Sequence, residues 1–254
     1  MLTPALLVPK VVAIAERAGA LVMEHYAGGA TAVSTKADSS PVTTADEAGE
    51  AAILAALREL TPDVPIVAEE AVARGELPEV GDGPFWLVDP LDGTKEFISR
   101  NGEFTVNIGL VEGRRPILGV VLAPAKGLAW WGAAGQGACR REGDVVSFIR
   151  ARPRPVQGAV AVASRSHRDA ETDAWLKGQG IEDTVSAGSS LKFCLVAEGK
   201  ADVYPRFGPT MEWDTAAGDA VLRAAGGRVL TTAGEPLLYV KPGFRNPGFI
   251  AHGV

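Results

Sequence analysis

Phe85-Trp86-Leu87-Val88-Asp89-Pro90-Leu91-Asp92-Gly93-Thr94 decides how this chain is read. The four apolar residues, reached through Gly83-Pro84, read as a short buried strand. Pro90 fixes its own φ and has no amide hydrogen, so the strand is expected to stop at Asp89. Gly93 lets the backbone turn tightly or approach a ligand closely. Asp89, Asp92 and Thr94 then offer clustered hard oxygens, the donor type that magnesium takes together with water and phosphate. The stretch reads equally as an Asp-Pro and Asp-Gly turn whose acids satisfy local amides. Other segments have to separate the two.

The chain has 254 residues, 46% of them hydrophobic, enough to bury a full core in one large domain or two joined halves. Its 25 basic and 31 acidic residues give a formal charge of −6, which argues against nucleic acid or an anionic membrane as partner. An anionic small substrate remains open, because bound cations reverse a local field. Cys139 and Cys194 stand singly, without a CxxC partner or a His cluster, which disfavours zinc and suits free thiols in a reducing cytoplasm. Charged residues interrupt the segment from Met1 to Tyr26, and no apolar run approaches membrane-spanning length. A cytoplasmic protein is expected.

An amphipathic helix is expected from Pro4 to Tyr26, and a second, opened by Thr43-x-x-Asp46, through about Leu60. Pro65–Ala68 reads as a short strand delivering Glu69-Glu70, followed by a polar loop from Ala71 to Gly83. Phe104–Val111, Pro116–Leu122 and Leu128–Gly132 suggest an antiparallel meander. Gly135 to Pro155, with Arg140, Arg141, Arg150, Arg152 and Arg154, reads as an irregular, solvated connection. Beyond it strands and helices alternate, which favours sheets covered by helices.

Glu69-Glu70 and Asp89 both end short strands, and two strands ending at one sheet edge bring their terminal acids together, where ligands usually sit. Asp214 precedes an Ala-rich helix and reads either as a cap or as a further acid of this group. Asp46 has the same double reading beside Thr43. Gly188-Ser189-Ser190-Leu191-Lys192 opens a helix with small residues and a lysine one turn inside, either an anion cradle or a plain helix start. Arg206 offers a bidentate partner for a second phosphate, and Ser164-Arg165-Ser166-His167 follows a strand, where ligand-reading loops sit.

AEE (Ala68–Glu70), VDPLDGT (Val88–Thr94) and WDTAAGDA (Trp213–Ala220), in that order and spacing, resemble the inositol monophosphatase superfamily of lithium-sensitive, magnesium-dependent phosphomonoesterases. LDGTKEFISRNGEFTVNI (Leu91–Ile108), SRSH (Ser164–His167), GSSLKF (Gly188–Phe193), YPRFGPT (Tyr204–Thr210) and NPGFIAHG (Asn246–Gly253) narrow the resemblance to its CysQ-type 3'(2'),5'-bisphosphate nucleotidases. Those enzymes convert adenosine 3',5'-bisphosphate to AMP and phosphate. The resemblance covers essentially the whole chain.

The resemblance implies an α+β layered fold, the alternating αβαβα sandwich of sugar phosphatases. It implies one domain of two halves, about 1–138 and about 156–254, with the site between them. Glu69, Asp89, Asp92, Asp214 and the Leu91 carbonyl would bind two or three Mg²⁺ ions, with Asp46 orienting the weakest. Thr94 would position the attacking, metal-activated water alongside Glu70 or Asp46. Gly93, Thr94 and Asp214 would also face the substrate. Gly188, Ser189, Lys192 and Arg206 would meet the second phosphate and ribose, and His167 the base. Met211-Glu212 departs from the family pattern before Trp213, and the arginine-rich stretch after Gly137 has no motif role. A homodimer is compatible with all of this.

Three rivals stay open. A haloacid-dehalogenase-type phosphatase would use Asp89 as nucleophile, but its acids lie two residues apart and here the spacing is three. A phosphatase of inositol or other sugar phosphates would share the scaffold, and Lys192 with Arg206 argues for an additional anionic group on the substrate. A non-catalytic nucleotide or Mg²⁺ sensor would bind without turnover.

Overall fold

The computed structural model describes residues 3–28, 33–35, 41–164 and 169–254. Helix α1 (Pro4–Gly28) is followed by the small hairpin β1 (Val33–Thr35) and β2 (Pro41–Thr43), then α2 (Thr44–Leu60), β3 (Ile66–Ala68) and α3 (Glu69–Ala73). Next come β4 (Phe85–Asp92), α4 (Thr94–Ile98), β5 (Thr105–Glu112), β6 (Arg115–Ala123), β7 (Leu128–Ala133), β8 (Gly137–Glu142) and β9 (Val145–Ile149). The remainder is β10 (Val160–Ser164), α5 (Ala170–Gly178), β11 (Asp183–Ala187), α6 (Leu191–Ala197), β12 (Val203–Arg206), β13 (Thr210–Met211), α7 (Glu212–Ala224), β14 (Arg228–Thr231), β15 (Arg245–Asn246) and β16 (Phe249–His252).

Strands β3 to β9 form one seven-stranded sheet in sequence order, parallel only between β3 and β4. A five-stranded sheet has the order β11-β10-β12-β16-β14. Apolar residues of α1 and α2, such as Val11, Ala15, Ile53 and Leu57, bury one face of the first sheet against Trp86, Ile108 and Val120. On its other face α6 and α7 lie between the two sheets, where Phe193 and Val221 meet Val121 on one side and Tyr204 and Phe249 on the other. Leu176 of α5 covers the outer face of the second sheet at Ala161, Val203 and Ile250. The alternation of one-sided strands with amphipathic helices thus resolves into five layers, αβαβα, as the resemblance implies.

Three expectations are corrected. Strand β4 does not stop before Pro90 but runs to Asp92, because a bulge absorbs the proline: Asp89 pairs with Asn107 and Asp92 with Thr105, one extra residue on β4. Glu69 and Glu70 do not trail a strand into a loop; they begin α3. The arginine-rich segment is irregular only in part: Gly137–Glu142 and Val145–Ile149 continue the meander as β8 and β9, while residues 150–155 have no regular structure, as expected. Arg140 and Arg141 stand side by side in β8, which hides the strand period behind the charge.

Candidate metal and phosphate site

The bulge in β4 has a direct consequence for its acids. In a regular strand, residues three apart point to opposite faces. One inserted residue restores Asp89 and Asp92 to the same side, and Leu91 N donates to Asp89 Oδ1 at 2.9 Å to hold the turn. Gly93 follows at φ 92°, a conformation that suits glycine, and a Cβ there would lie 2.2 Å from Ser189 Oγ.

Strand β3 runs parallel to β4, in register at Ala68 and Val88, and so places Glu69 beside the bulge. Asp214 arrives from the first turn of α7, where its Oδ2 accepts from Met211 N at 2.7 Å. One carboxylate oxygen each of Glu69, Asp89 and Asp214 lie within 4.8 Å of one another. Burial, then the neighbouring charges of Glu69, Asp92 and Asp214, pushes the Asp89 carboxyl well above the usual range. Burial and the charges of Asp92 and Glu69 do the same to Asp214. Asp92 is raised by burial too, but less, because Lys192 opposes it and Ser190 and Asn107 donate to it. A group of carboxylates that repel one another, Asp89 buried and Glu69, Asp92 and Asp214 half-buried, is a poor structural device and a good cradle for divalent cations.

Asp46 reaches the same region from the start of α2. Its Oδ2 accepts from Thr43 N at 2.8 Å and Thr43 Oγ1 at 2.7 Å, closing the capping box. That leaves Oδ1 facing Thr94 Oγ1 at 3.4 Å, while Thr94 Oγ1 is 3.5 Å from the Leu91 carbonyl. Glu70 is buried, and its amide donates to Glu50 Oε2 at 2.7 Å.

A cavity of about 270 Å³ opens over these acids. Glu69, Asp92, Gly93, Thr94, Ser189, Lys192, Arg206 and Asp214 line it, while Asp89 and Leu91 lie buried beneath. Lys192 Nζ donates to the Ser189 carbonyl at 2.6 Å and stands over the Tyr204 ring at 5.4 Å. Burial lowers its pKa to about 8. Arg206 Nη2 donates to Pro209 O at 3.0 Å.

The turn before α6 differs from an open anion cradle. Gly188 N donates to Glu103 Oε2 at 2.9 Å, and Ser189 Oγ lies 2.7 Å from Asp92 O and 2.8 Å from Glu103 O. Ser190 Oγ lies 3.1 Å from Asp92 Oδ2 and 2.9 Å from Asp214 O. The two serines therefore fasten the acid-bearing elements to each other. His167 lies outside the described residues.

Several residues that the motifs did not single out support the acids. Asn107 Nδ2 donates to Asp92 Oδ2 at 3.3 Å and to Ser190 Oγ at 3.0 Å. Glu50, whose carboxyl burial raises, holds the α3 amide and pairs with Arg74 at 3.2 Å. Asn107 lies within the Leu91–Ile108 stretch that carries the resemblance, and its polarity in the apolar run Thr105–Val111 was a further signal. Glu50 reads in sequence as an ordinary helix-surface acid.

Residues 7–249 match the inositol monophosphatase family. The chain belongs to that family. Among its relatives, 3'(2'),5'-bisphosphate nucleotidase CysQ of Escherichia coli (strain K12) is 50% identical over 238 residues, 93% of this chain and 95% of the relative. The CysQ nucleotidase of Salmonella typhimurium (strain LT2) is 48% identical over the same span of this chain. The crystal structure of CysQ from Bacteroides thetaiotaomicron has a TM-score of 0.80 at 41% identity and 96% coverage of both chains. The inositol monophosphatase family thus accounts for both the layered fold and the order of the acid motifs. No helix among the described residues is long and apolar enough to cross a membrane.

Proposed function

We propose that this chain is a Mg²⁺-dependent phosphomonoesterase that hydrolyses the 3'-phosphate of adenosine 3',5'-bisphosphate to AMP and phosphate. The observation that carries the reading is the set of three carboxylates with oxygens within 4.8 Å, set beneath a cavity that Lys192 and Arg206 also line. The 50% identity to a CysQ nucleotidase across nearly the whole chain supports the substrate class.

Glu69, Asp89 and Asp214, with Asp92 and the Leu91 carbonyl, fit two or three Mg²⁺ ions, because every donor is a hard oxygen and the acids are held close together against their own repulsion. When bound, such cations neutralise the phosphate and stabilise the leaving oxygen during in-line displacement. The chain's own residues do the rest. Thr94 Oγ1 orients the attacking water, and Asp46 Oδ1, held by its capping box, takes the water's proton through it. Glu70 is the alternative acid for this step. Gly93, whose left-handed turn exposes its backbone, and Asp214 border the transferring phosphoryl group. Lys192, whose Nζ donates to the Ser189 carbonyl, and Arg206, whose Nη2 donates to the Pro209 carbonyl, bind the other phosphate beside the Gly188 turn, with His167 toward the base.

We read the chain as one domain of two halves, about residues 1–138 and 156–254, with the first-half sheet reaching Ile149. Its free thiols, Cys139 and Cys194, suit the cytoplasm. A panel of adenosine 3',5'-bisphosphate, inositol 1-phosphate and a simple phosphate ester, assayed with Mg²⁺ and again with added Li⁺, tests the reading. Preferred turnover of the bisphosphate, inhibited by Li⁺, is expected. Preference for inositol 1-phosphate rejects the substrate, and binding without turnover rejects the enzyme.

A further inference from the structure

The turn that opens α6 sets the position of Lys192 through a conformation its own residues do not favour. Ser189 holds a left-handed φ of 49°, a region that a residue with a side chain adopts only where its surroundings impose it. The Ser189 carbonyl accepts from Lys192 Nζ at 2.6 Å, so the backbone at Ser189 decides where the amine stands.

Glu103, in the loop between α4 and β5, supplies that constraint, and the catalytic reading gives it no role. Its Oε2 accepts from Gly188 N at 2.9 Å, and its carbonyl oxygen lies 2.8 Å from Ser189 Oγ. The one hydroxyl proton of Ser189 also faces the Asp92 carbonyl at 2.7 Å, so the bond to the Gly188 amide is the firmer hold. The two segments can approach this closely because residue 188 is a glycine. A Cβ there would lie 2.7 Å from the Glu103 carbonyl oxygen and 3.0 Å from the Glu103 Cβ.

Glu103 is itself fixed. Its amide donates to Asn101 Oδ1 at 2.8 Å, and Lys126 Nζ stands 3.9 Å from its Oε1. The side chain is only 15% exposed, so water competes little for the Gly188 amide. Holding that amide has a second effect. A phosphate cannot take it while Glu103 does, and is left to the Lys192 and Arg206 side chains that line the cavity.

We propose that Glu103 is a positioning residue for the substrate's second phosphate: its carboxylate clamps the Gly188-Ser189 turn and thereby fixes Lys192 in the cavity wall. The inference rests on the bisphosphate reading above. Glu103 acts through the turn, since it does not itself line the cavity.

Steady-state kinetics on adenosine 3',5'-bisphosphate, and on a simple phosphate ester with no second phosphate, test this. Glu103→Ala removes the clamp, and Glu103→Asp keeps the charge but draws the oxygen back from Gly188 N. Each should raise KM for the bisphosphate about tenfold, the worth of a charge-assisted contact. The kcat, and the KM for the simple ester, should stay close to wild type. Glu103→Gln retains an acceptor for the Gly188 amide and should keep the wild-type KM. Losses that strike both substrates alike mark a general structural defect and overturn the proposal. So does a wild-type KM for the bisphosphate in Glu103→Ala and Glu103→Asp, or a Glu103→Gln variant no better than Glu103→Ala. A wild-type enzyme that shows no preference for the bisphosphate rejects the substrate reading and the proposal with it, whereas a preference that survives loss of the clamp overturns the proposal alone.

Discussion

A Cβ placed on Gly119 would lie 2.2 Å from the carbonyl oxygen of Ala217. Gly119 is the middle of a row: Gly109, Gly119 and Gly132 stand opposite one another on β5, β6 and β7. Cβ atoms at Gly109 and Gly132 would likewise meet Ala216 at 2.9 Å and Ala224 at 2.7 Å. The alanine-rich helix α7 therefore rests on bare backbone, and that depth brings Asp214 level with Glu69 and Asp89. Gly119→Val should push the helix outward and destabilise the fold by about 1–3 kcal/mol through overpacking. Turnover should fall far more than the lost folded fraction explains. Wild-type turnover by the folded variant would show that helix depth does not set the acid geometry.

The start of α7 has a second anchor. Glu212 is fully buried, its Oε2 accepting from Val240 N at 2.9 Å and its Oε1 from Lys241 N at 2.8 Å. Lys241 Nζ stands 2.7 Å from Oε1. Val240 holds a left-handed φ of 64°, so the segment is bent to present these amides. Glu212→Ala leaves two amides without their acceptor and a half-buried amine with only the Leu238 carbonyl, and should cost about 3–5 kcal/mol by chemical denaturation. Glu212→Gln, which keeps one acceptor, should lose less. Equal stability of the two would rule out the amide clamp as the source.

Lys192 gives the reaction a pH dependence of known sign. Its amine, lowered to about 8 by burial, loses its charge as pH rises through that value. A proton on the amine is what attracts an anionic second phosphate, so KM for the bisphosphate should rise above about pH 8 while kcat changes little. Lys192→Met should raise KM roughly 10- to 100-fold, the worth of a charge-assisted hydrogen bond. It should also flatten the alkaline limb of the KM profile. A limb that survives in Lys192→Met belongs to another group.

Much of this was legible in the residues, and the failures have physical reasons. Helix α2 was readable because Thr43 and Asp46 form the capping box that their spacing announces. The clustering of Glu69, Asp89 and Asp214 was readable because strand ends, turns and helix starts are local, and parallel neighbours end at one edge. The length of β4 was not, because a bulge is a property of the pair: nothing in Asp89-Pro90-Leu91-Asp92 says that β5 will continue alongside. Strand β8 was hidden by its own arginines, whose partners Glu16 and Glu198 lie far away in sequence. Asn107 and Glu212 escaped for a related reason, since each acts on groups that only the folded chain brings near.

The acid cluster should make cation-free protein less stable as pH rises. Asp89 and Asp214 have folded pKa values well above those of the unfolded chain, so between the two values the native state holds more protons. Stability then falls as pH rises through that window and is recovered as pH falls below the usual carboxylate range. Mg²⁺, binding the ionised acids, should raise Tm and do so more at neutral than at acidic pH. Asp89→Asn removes one repelling charge and retains an acceptor for Leu91 N. Its Tm without cations should equal or exceed that of the wild type, with each kcal/mol gained worth about 2–4 °C. Turnover should be abolished, and the Mg²⁺-dependent rise in Tm lost. A fall in cation-free Tm for Asp89→Asn, with the Mg²⁺ response intact, would assign Asp89 to the scaffold instead of the ions.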